Sequence, residues 1–242
     1  MSAVQLLAIA AAVMFAGFVN ITAGFGFALL SVPLMTLAVD PRDAIVVSAL
    51  IGSCASAWQT WHLRAFVDHA LVRRMVLAAY CGMPFGLWVF VAVDDRALRL
   101  GLGVAVLVAV VLLAVRIDLS HVGPRLDMSA GFVSGVLSTS LSTNGPPLVF
   151  TLQARGLAAD PFRGTISRVF VWSSVGALIG FVGAGKVTGD GLVGAAVALP
   201  AMLAGQLLGL PVRKHVHGER MRWLVLVLLV VAATGAIVAA LG

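Results

Sequence analysis

Long apolar runs separated by short charged loops dominate the pattern of hydrophobic and polar positions along the chain. A helix needs about 20 apolar residues to cross the hydrocarbon core of a membrane. Six runs have about this length, at residues 44–61, 75–93, 98–115, 165–181, 192–212 and 223–241. We predict one transmembrane helix for each of these six spans.

Two further runs do not fit a single crossing. Residues 4–39 contain no charged residue and no histidine, and they are nearly twice as long as one span. Residues 128–154 also lack charge, but their centre holds a tract of hydroxyl side chains followed by Asn144-Gly145-Pro146-Pro147. Prolines remove backbone donors, and an interrupted backbone must be shielded from lipid. We therefore predict that both runs are broken helices or re-entrant hairpins.

Composition excludes a soluble protein. Hydrophobic residues make up 61% of the 242 residues, charged residues only 11%, and the mean hydropathy is +1.07. A soluble domain carries about 25% charged residues, so this chain could not cover a water-exposed surface. Cys54 and Cys81 lie inside apolar runs, and we expect them to be buried packing residues rather than a disulfide.

The two halves of the chain share matches that occur in the same order. Gly17-Phe18-Val19 recurs as Gly131-Phe132-Val133, Pro33-Leu34 as Pro147-Leu148, Asp40-Pro41 as Asp160-Pro161, and Gly82 with Gly86 as Gly205 with Gly209. Four ordered matches indicate an internal repeat. We divide the chain into residues 1–127 and 128–242, each with a broken segment followed by three spans. The glycine pairs are expected to mark close helix contacts.

Basic residues distinguish two topologies. If both broken segments turn back, the second repeat is inverted, with 12 of the 16 Lys and Arg residues on one side and 4 on the other. If both segments cross once, the split is 10 against 6. The positive-inside rule favours the first arrangement. We predict an all-α polytopic membrane protein built from two inverted-topology repeats, with both termini outside the cytoplasm.

The broken segments supply the candidate chemistry. In transporters with inverted repeats, the site lies where the broken helices meet. Half-helix N-termini suit an anion, because they carry partial positive charge and free N–H groups. Asn144 is expected to cap a half-helix starting at Pro146, and Ser31 stands in the equivalent place before Pro33. The candidate substrate-binding residues are Asn20, Thr22, Gly24, Gly26, Ser31, Pro33, Ser138, Thr139, Ser140, Ser142, Thr143, Asn144, Gly145, Pro146 and Arg168.

Each of these assignments has a plainer alternative. Ser and Thr side chains commonly satisfy backbone groups in membrane helices. Five hydroxyls and Asn144 within seven positions, next to Gly-Pro-Pro, favour a ligand role for the tract. Arg163 and Arg168 either draw anions into the site or mark the inner face. We interpret Arg168, about one turn deeper, as functional and leave Arg163 open.

With these motifs the chain resembles the TauE/SafE sulfite-exporter family of membrane transporters. The resemblance is carried by Gly24-Phe25-Gly26 and Ser31-Val32-Pro33-Leu34, by the repeat at residues 131–148, and by the segments Gln153-Ala154-Arg155-Gly156 and Phe162-Arg163-Gly164-Thr165. It covers essentially the whole chain and implies an inner-membrane carrier of sulfite, thiosulfate or a sulfonate. Two departures bear on the substrate: Phe25 interrupts the usual three glycines, and Ser/Thr residues replace glycines in the second motif.

We therefore predict a secondary transporter of small sulfur-containing anions that works by alternating access. The alternatives are a passive anion channel and a membrane scaffold or assembly subunit without transport. An intramembrane enzyme is disfavoured, because neither Cys54 nor Cys81 has a histidine in its span or an acid opposite. The expected partners are a small anion and the lipid bilayer, with no nucleic acid, cofactor or metal. Coupling to protons and pairing into a homodimer are left open.

Overall fold

The computed structural model describes residues 1–23, 26–114, 123–213 and 219–241. Over these ranges the chain forms ten α-helices, one 3-10 turn at Arg64–Phe66 and no strand. Six of the helices are long and apolar enough to cross a membrane. The chain is a multi-pass membrane protein, and the predicted all-α polytopic class is confirmed.

Each predicted run corresponds to one or two helices. The first half contains α1 Ala3–Ala23, α2 Phe27–Met35, α3 Pro41–His62, α4 His69–Ala92 and α5 Asp95–Ala114. The second half contains α6 Pro124–Leu141, α7 Gly145–Ala154, α8 Ala159–Gly183, α9 Gly189–Arg213 and α10 Glu219–Leu241. Thus α1 with α2 and α6 with α7 occupy the two broken segments, and each other helix overlaps one predicted span.

Both broken segments fold back on themselves as hairpins. The Gln5 side-chain amide, in the first turns of α1, donates to the Ala38 carbonyl just after α2 at 3.3 Å. In the second hairpin, Arg155 directly follows α7 and its Nε donates to Asp127 of α6 at 2.8 Å. In each case the chain leaves the hairpin at the end of the bundle where it entered.

The first hairpin opens at the end of the bundle where α3 and α9 begin, which we term the α1 end. The amine of Met1 pairs with Asp190 of α9 at 3.0 Å. Thr188, just before α9, donates to Asp43 of α3 at 2.7 Å. Because α3 then crosses the bundle, α4 begins at the opposite end.

The second hairpin opens at that opposite end, which we term the α6 end. The Asp127 side chain is fully buried there and pairs with Arg155 at 2.7 Å and with Arg74 of α4 at 3.2 Å. Each arginine satisfies one carboxylate oxygen, so the buried charge is compensated. The two hairpins therefore open at opposite ends of the bundle.

The most closely packed helix pairs each join one helix of the first half to one helix of the second half. Helix α1 packs along α9, and α4 packs along α6, while α3 packs on α8 and α5 on α10. If α1–α5 correspond in order to α6–α10, the α1–α9 contact is equivalent to the α6–α4 contact. The α3–α8 and α5–α10 contacts are each equivalent to themselves. Two repeats related by a two-fold axis require such a pattern. The inverted repeat with its boundary at residue 127 stays a prediction that these contacts support.

Glycines bring the exchanged helix pairs into close contact. A Cβ added to Gly82 or Gly86 of α4 would overlap backbone oxygens of α6. A Cβ added to Gly205 or Gly209 of α9 would overlap atoms of α1. The prediction that these four glycines mark close helix contacts is confirmed.

The expectation that the cysteines are buried is wrong. Cys54 and Cys81 are free thiols, but both are exposed on the lateral surface. Each shares its helix face with an exposed aromatic residue four positions later, Trp58 and Phe85 respectively. An apolar thiol suits a lipid-facing position as well as a protein core, so hydropathy does not distinguish the two.

Close packing of α4 on α6 predicts a large effect of a single methyl group. A Cβ at Gly135 of α6 would overlap the Ala79 backbone, and overpacking costs about 1–3 kcal/mol. We expect Gly135→Ala to lower the melting temperature of the purified protein. The matched control is Gly101→Ala on α5, where the new Cβ meets nothing within 4 Å and stability should be unchanged or slightly higher. Equal losses in both variants would contradict the packing.

Candidate substrate site

A cavity of about 60 Å³ lies between the two hairpins and helices α3 and α8. Each hairpin contributes the start of its short helix, α2 or α7. The polar residues that line the cavity are Asn20, Ser48, Ser56, Gln59, Ser138, Ser142, Thr143, Asn144 and Ser174. Over the described part of the chain, the lining contains no Asp, Glu, His, Lys or Arg side chain.

The N-terminus of α2 presents backbone donors to this cavity. Gly26 precedes the helix with φ 92°, a left-handed conformation that favours glycine, and no side chain caps the helix. The first intrahelical bond runs from Leu30 to the Gly26 carbonyl. The N–H groups of the three preceding residues have no intrahelical acceptor, and all three residues line the cavity: Phe27, Ala28 and Leu29.

This start of α2 corrects the expectation for Ser31 and Pro33. The helix begins at Phe27, so both residues lie inside it rather than before it. Ser31 is buried, with its hydroxyl 3.1 Å from that of Ser48, a lining residue. Ser31 therefore lies behind the cavity wall. The proline match with Pro147 misplaced the first half-helix by about one turn.

The expected capping role of Asn144 is also wrong. Asn144 occupies the N-cap position of α7, but its side chain makes no capping bond. A cap accepts from the N–H of the second or third helical residue, and here these are Pro146 and Pro147, which have none. The Asn144 side chain therefore does not cap α7, and Asn144 lines the cavity.

The prolines also explain why the second hairpin is rich in hydroxyls. Of the first three residues of α7, only Gly145 has an N–H group. The α7 side of the cavity therefore depends on side-chain donors, and Ser138, Ser142 and Thr143 stand there. The α2 side uses backbone N–H groups, and the α7 side uses hydroxyls.

Among these groups, the Thr143 hydroxyl is the one that lacks a hydrogen-bond partner while buried. Thr143 is 1% solvent-accessible, and its Oγ1 is buried with no hydrogen-bond partner among the described residues. A buried hydroxyl without a partner costs about 1–3 kcal/mol. An acceptor held in the cavity would remove this cost.

Almost the whole chain matches a known family of membrane proteins. Residues 9–235 match the family model described as "Sulfite exporter TauE/SafE". The chain belongs to the TauE/SafE sulfite exporter family. This confirms the resemblance carried by the motifs, over almost the whole chain. No curated protein and no solved structure matches the chain.

In this TauE/SafE protein, three of the predicted site residues donate their hydroxyl groups to backbone carbonyls and do not line the cavity. Ser and Thr in membrane helices often bond to carbonyls one turn earlier. The donors and their acceptors are Thr22 to Phe18 and Val19, Thr139 to Met83 and Gly135, and Ser140 to Val136. None of the three donors lines the cavity. Pro146 is buried outside the lining, and Gly24 lies outside the described residues.

The structure does not bring Arg168 to the cavity. Helix α8 presents Phe170 and Ser174 to it. With 3.6 residues per turn, Arg168 falls on nearly the opposite face, in line with the exposed Trp172 and Ile179. Arg163 near the start of α8 is not a lining residue either.

Helices α3 and α8 supply lining residues that the sequence analysis missed. Ser48, Ser56 and Gln59 recur on one face of α3. Gln59 is held by the Ser167 hydroxyl of α8 at 2.7 Å. The sequence carries this signal, because polar residues spaced by eight and three positions share one face of a helix, and such a face inside an apolar span is turned away from lipid.

The turn before α7 predicts an unusual response to glycine. Ser142 ends α6 with φ 56°, a conformation that costs a non-glycine residue about 1–2 kcal/mol. We expect Ser142→Gly to raise the melting temperature of the purified protein. Ser140→Gly, two residues earlier in the helix, should lower the melting temperature, because glycine inside a helix reduces the free energy of unfolding by about 1 kcal/mol. Destabilisation of the same size in both variants would contradict the strained turn.

Proposed function

We propose that this TauE/SafE protein is a secondary transporter of a small sulfur-containing anion, with sulfite as the leading substrate. The observation that carries the proposal is the cavity where two half-helix N-termini from oppositely directed hairpins meet. The description of the family as sulfite exporters supports the choice of substrate. Binding without chemical conversion is proposed, because the described lining offers hydroxyls and amides but no ionisable base.

Electrostatics favours an anion over a cation. A helix N-terminus carries the equivalent of about half a positive charge. Two such N-termini border the cavity, and no carboxylate lines it among the described residues. The Thr143 hydroxyl and the uncapped α2 amides add donors that need an acceptor. A cation would meet positive dipole ends and no compensating charge.

Cavity size favours a compact anion. A buried water needs about 15 Å³ of such space, so a cavity of about 60 Å³ holds roughly four water-sized groups. Sulfite, with one sulfur and three oxygens, matches this size, and anions of five non-hydrogen atoms such as thiosulfate are close to it. A longer organosulfonate would require the cavity to widen.

We propose that the site opens alternately to the two ends of the bundle. The tightly packed pairs α1–α9 and α4–α6 have the properties of rigid bodies, while α3 and α8 line the cavity between the hairpins. Rocking of the bundle that contains α1–α9 against the bundle that contains α4–α6 would change access to a fixed site. The proposal places the α6 end in the cytoplasm and both termini outside, because fewer basic residues stand at the α1 end, namely Arg42, Arg96, Arg99 and Lys186.

An isosteric change at Thr143 tests the site directly. Thr143→Val removes a donor to a charged ligand, worth about 1.5–3 kcal/mol, so sulfite affinity should fall roughly tenfold to hundredfold. Affinity is measured by sulfite-dependent thermal stabilisation of the purified protein, and transport by uptake of labelled sulfite into proteoliposomes. Thr22→Val is the matched control, because the Thr22 hydroxyl bonds to its own helix away from the cavity.

The alternatives give different results in the same assays. A scaffold would show no stabilisation by sulfite or any related anion in folded protein. A passive channel would show anion conductance that does not saturate as substrate concentration rises. Equal losses in Thr143→Val and Thr22→Val would contradict the assignment of the cavity as the binding site.

A further inference from the structure

The cavity has a small and well-defined positive charge. Its described lining includes no ionisable side chain, so the two helix N-termini are the main positive groups. The α2 N-terminus contributes about half an elementary charge, and the α7 N-terminus contributes less because Pro146 and Pro147 have no N–H group, so the total is at most about one positive charge. A single negative charge would be balanced by this arrangement, whereas the second charge of a dianion would not.

The ionisable groups on the helices around the cavity stand at a distance from it. On α3 and α6 the charged groups lie near the helix ends, and Cys54 of α3 is exposed on the lateral surface. On α8, Arg168 lies on the opposite face, and Arg163 shares the face of Phe170 and Ser174 but lies about two turns from Phe170 towards the start of the helix. Among the described side chains these groups are Asp40, Arg42, Asp43, Cys54, Arg125, Asp127, Arg155, Asp160, Arg163 and Arg168. None of them lines the cavity, so none supplies the second positive charge that a dianion needs.

The Thr143 hydroxyl is a second indication of a ligand in the cavity, and it does not depend on the helix N-termini. It is buried, has no hydrogen-bond partner among the described residues, and belongs to a lining residue. A hydroxyl donates one hydrogen bond without adding charge, so it favours an oxyanion but does not change the charge balance. The donors therefore define an oxyanion site, and the absence of lining cations sets its preferred charge.

We infer that the site selects monoanions, so that hydrogensulfite rather than the sulfite dianion is the bound and carried species. This inference rests on the proposed function and specifies the charge of its substrate. It ranks thiosulfate and sulfoacetate, which are dianions at neutral pH, as poor ligands. Each hydrogensulfite carries one proton across on its own oxygen or sulfur. Transport would then be coupled to the pH gradient without a proton-carrying side chain in the protein.

Two anions of similar size and different charge test the inference. Methanesulfonate is a monoanion and sulfate a dianion across the pH range of interest, and both are tetrahedral with five non-hydrogen atoms. We expect the full-length purified protein to bind methanesulfonate at least about tenfold more tightly than sulfate, because the second charge is uncompensated. Thr143→Val should weaken methanesulfonate binding, and Thr22→Val should not.

The pH dependence of sulfite binding provides the second readout. The second ionisation of sulfurous acid lies near neutral pH. Above it, the apparent affinity for total sulfite should fall about tenfold per pH unit, because only the protonated fraction binds. Methanesulfonate affinity should stay constant over the same range, which shows that the protein itself does not titrate.

Several results would overturn the inference, and they separate it from the proposed function. Sulfate binding as tight as methanesulfonate, or sulfite affinity that is constant or rises with pH, would contradict monoanion selection and leave anion transport standing. A parallel fall for methanesulfonate and sulfite would assign the pH dependence to the protein. Failure of every anion to bind folded protein would overturn both.

Discussion

Unsatisfied backbone N–H groups inside a membrane are the constraint on which this structure depends. A transmembrane helix that breaks at mid-depth leaves several N–H groups without acceptors, and lipid offers none. The chain breaks twice, before α2 and before α7, and both breaks face the same internal cavity. Surrounding helices shield the breaks from lipid, so the donors are available to a ligand and to little else.

The rest of the fold holds these two breaks in position. Glycine contacts between α1 and α9 and between α4 and α6 bring the hairpins against the opposite half. At the α6 end, the buried Asp127 carboxylate joins the start of the second hairpin to its exit and to α4 through Arg155 and Arg74. A buried carboxylate with both partners present is stable, and loss of one partner would leave an uncompensated charge. Hairpin closure and helix packing thus reinforce each other.

Much of this architecture follows from sequence patterns with strong physical causes. Run length and missing charge predicted the spans, Gly-xxx-Gly spacing predicted the close contacts, and the prolines after Asn144 predicted a break. The finer errors have equally specific causes. The match of Pro33 with Pro147 misplaces the start of α2, because proline is tolerated inside this helix. The predicted cap at Asn144 fails because Pro146 and Pro147 have no N–H group to donate. The depth of Arg168 was inferred, but the face it occupies depends on how α8 packs.

The lining from α3 and α8 required knowledge of tertiary packing. Ser48, Ser56 and Gln59 lie in a helix that looks like an ordinary span, and only the meeting of α3 with α8 turns this face towards the hairpins. The cavity that results is polar and free of ionisable side chains over the described residues. Such a lining offers hydrogen-bond donors and helix dipoles to a small anion, and in this way the breaks in the backbone support the proposed transport.

An experimental structure of the protein soaked with selenite would test the central claim most directly, because anomalous scattering from selenium locates the anion. The account predicts a selenium peak in the cavity, within hydrogen-bond distance of the Thr143 hydroxyl and the first amides of α2. A cavity without selenium, together with an ordered peak against Arg96 and Arg99, two of the arginines at the α1 end, would contradict it.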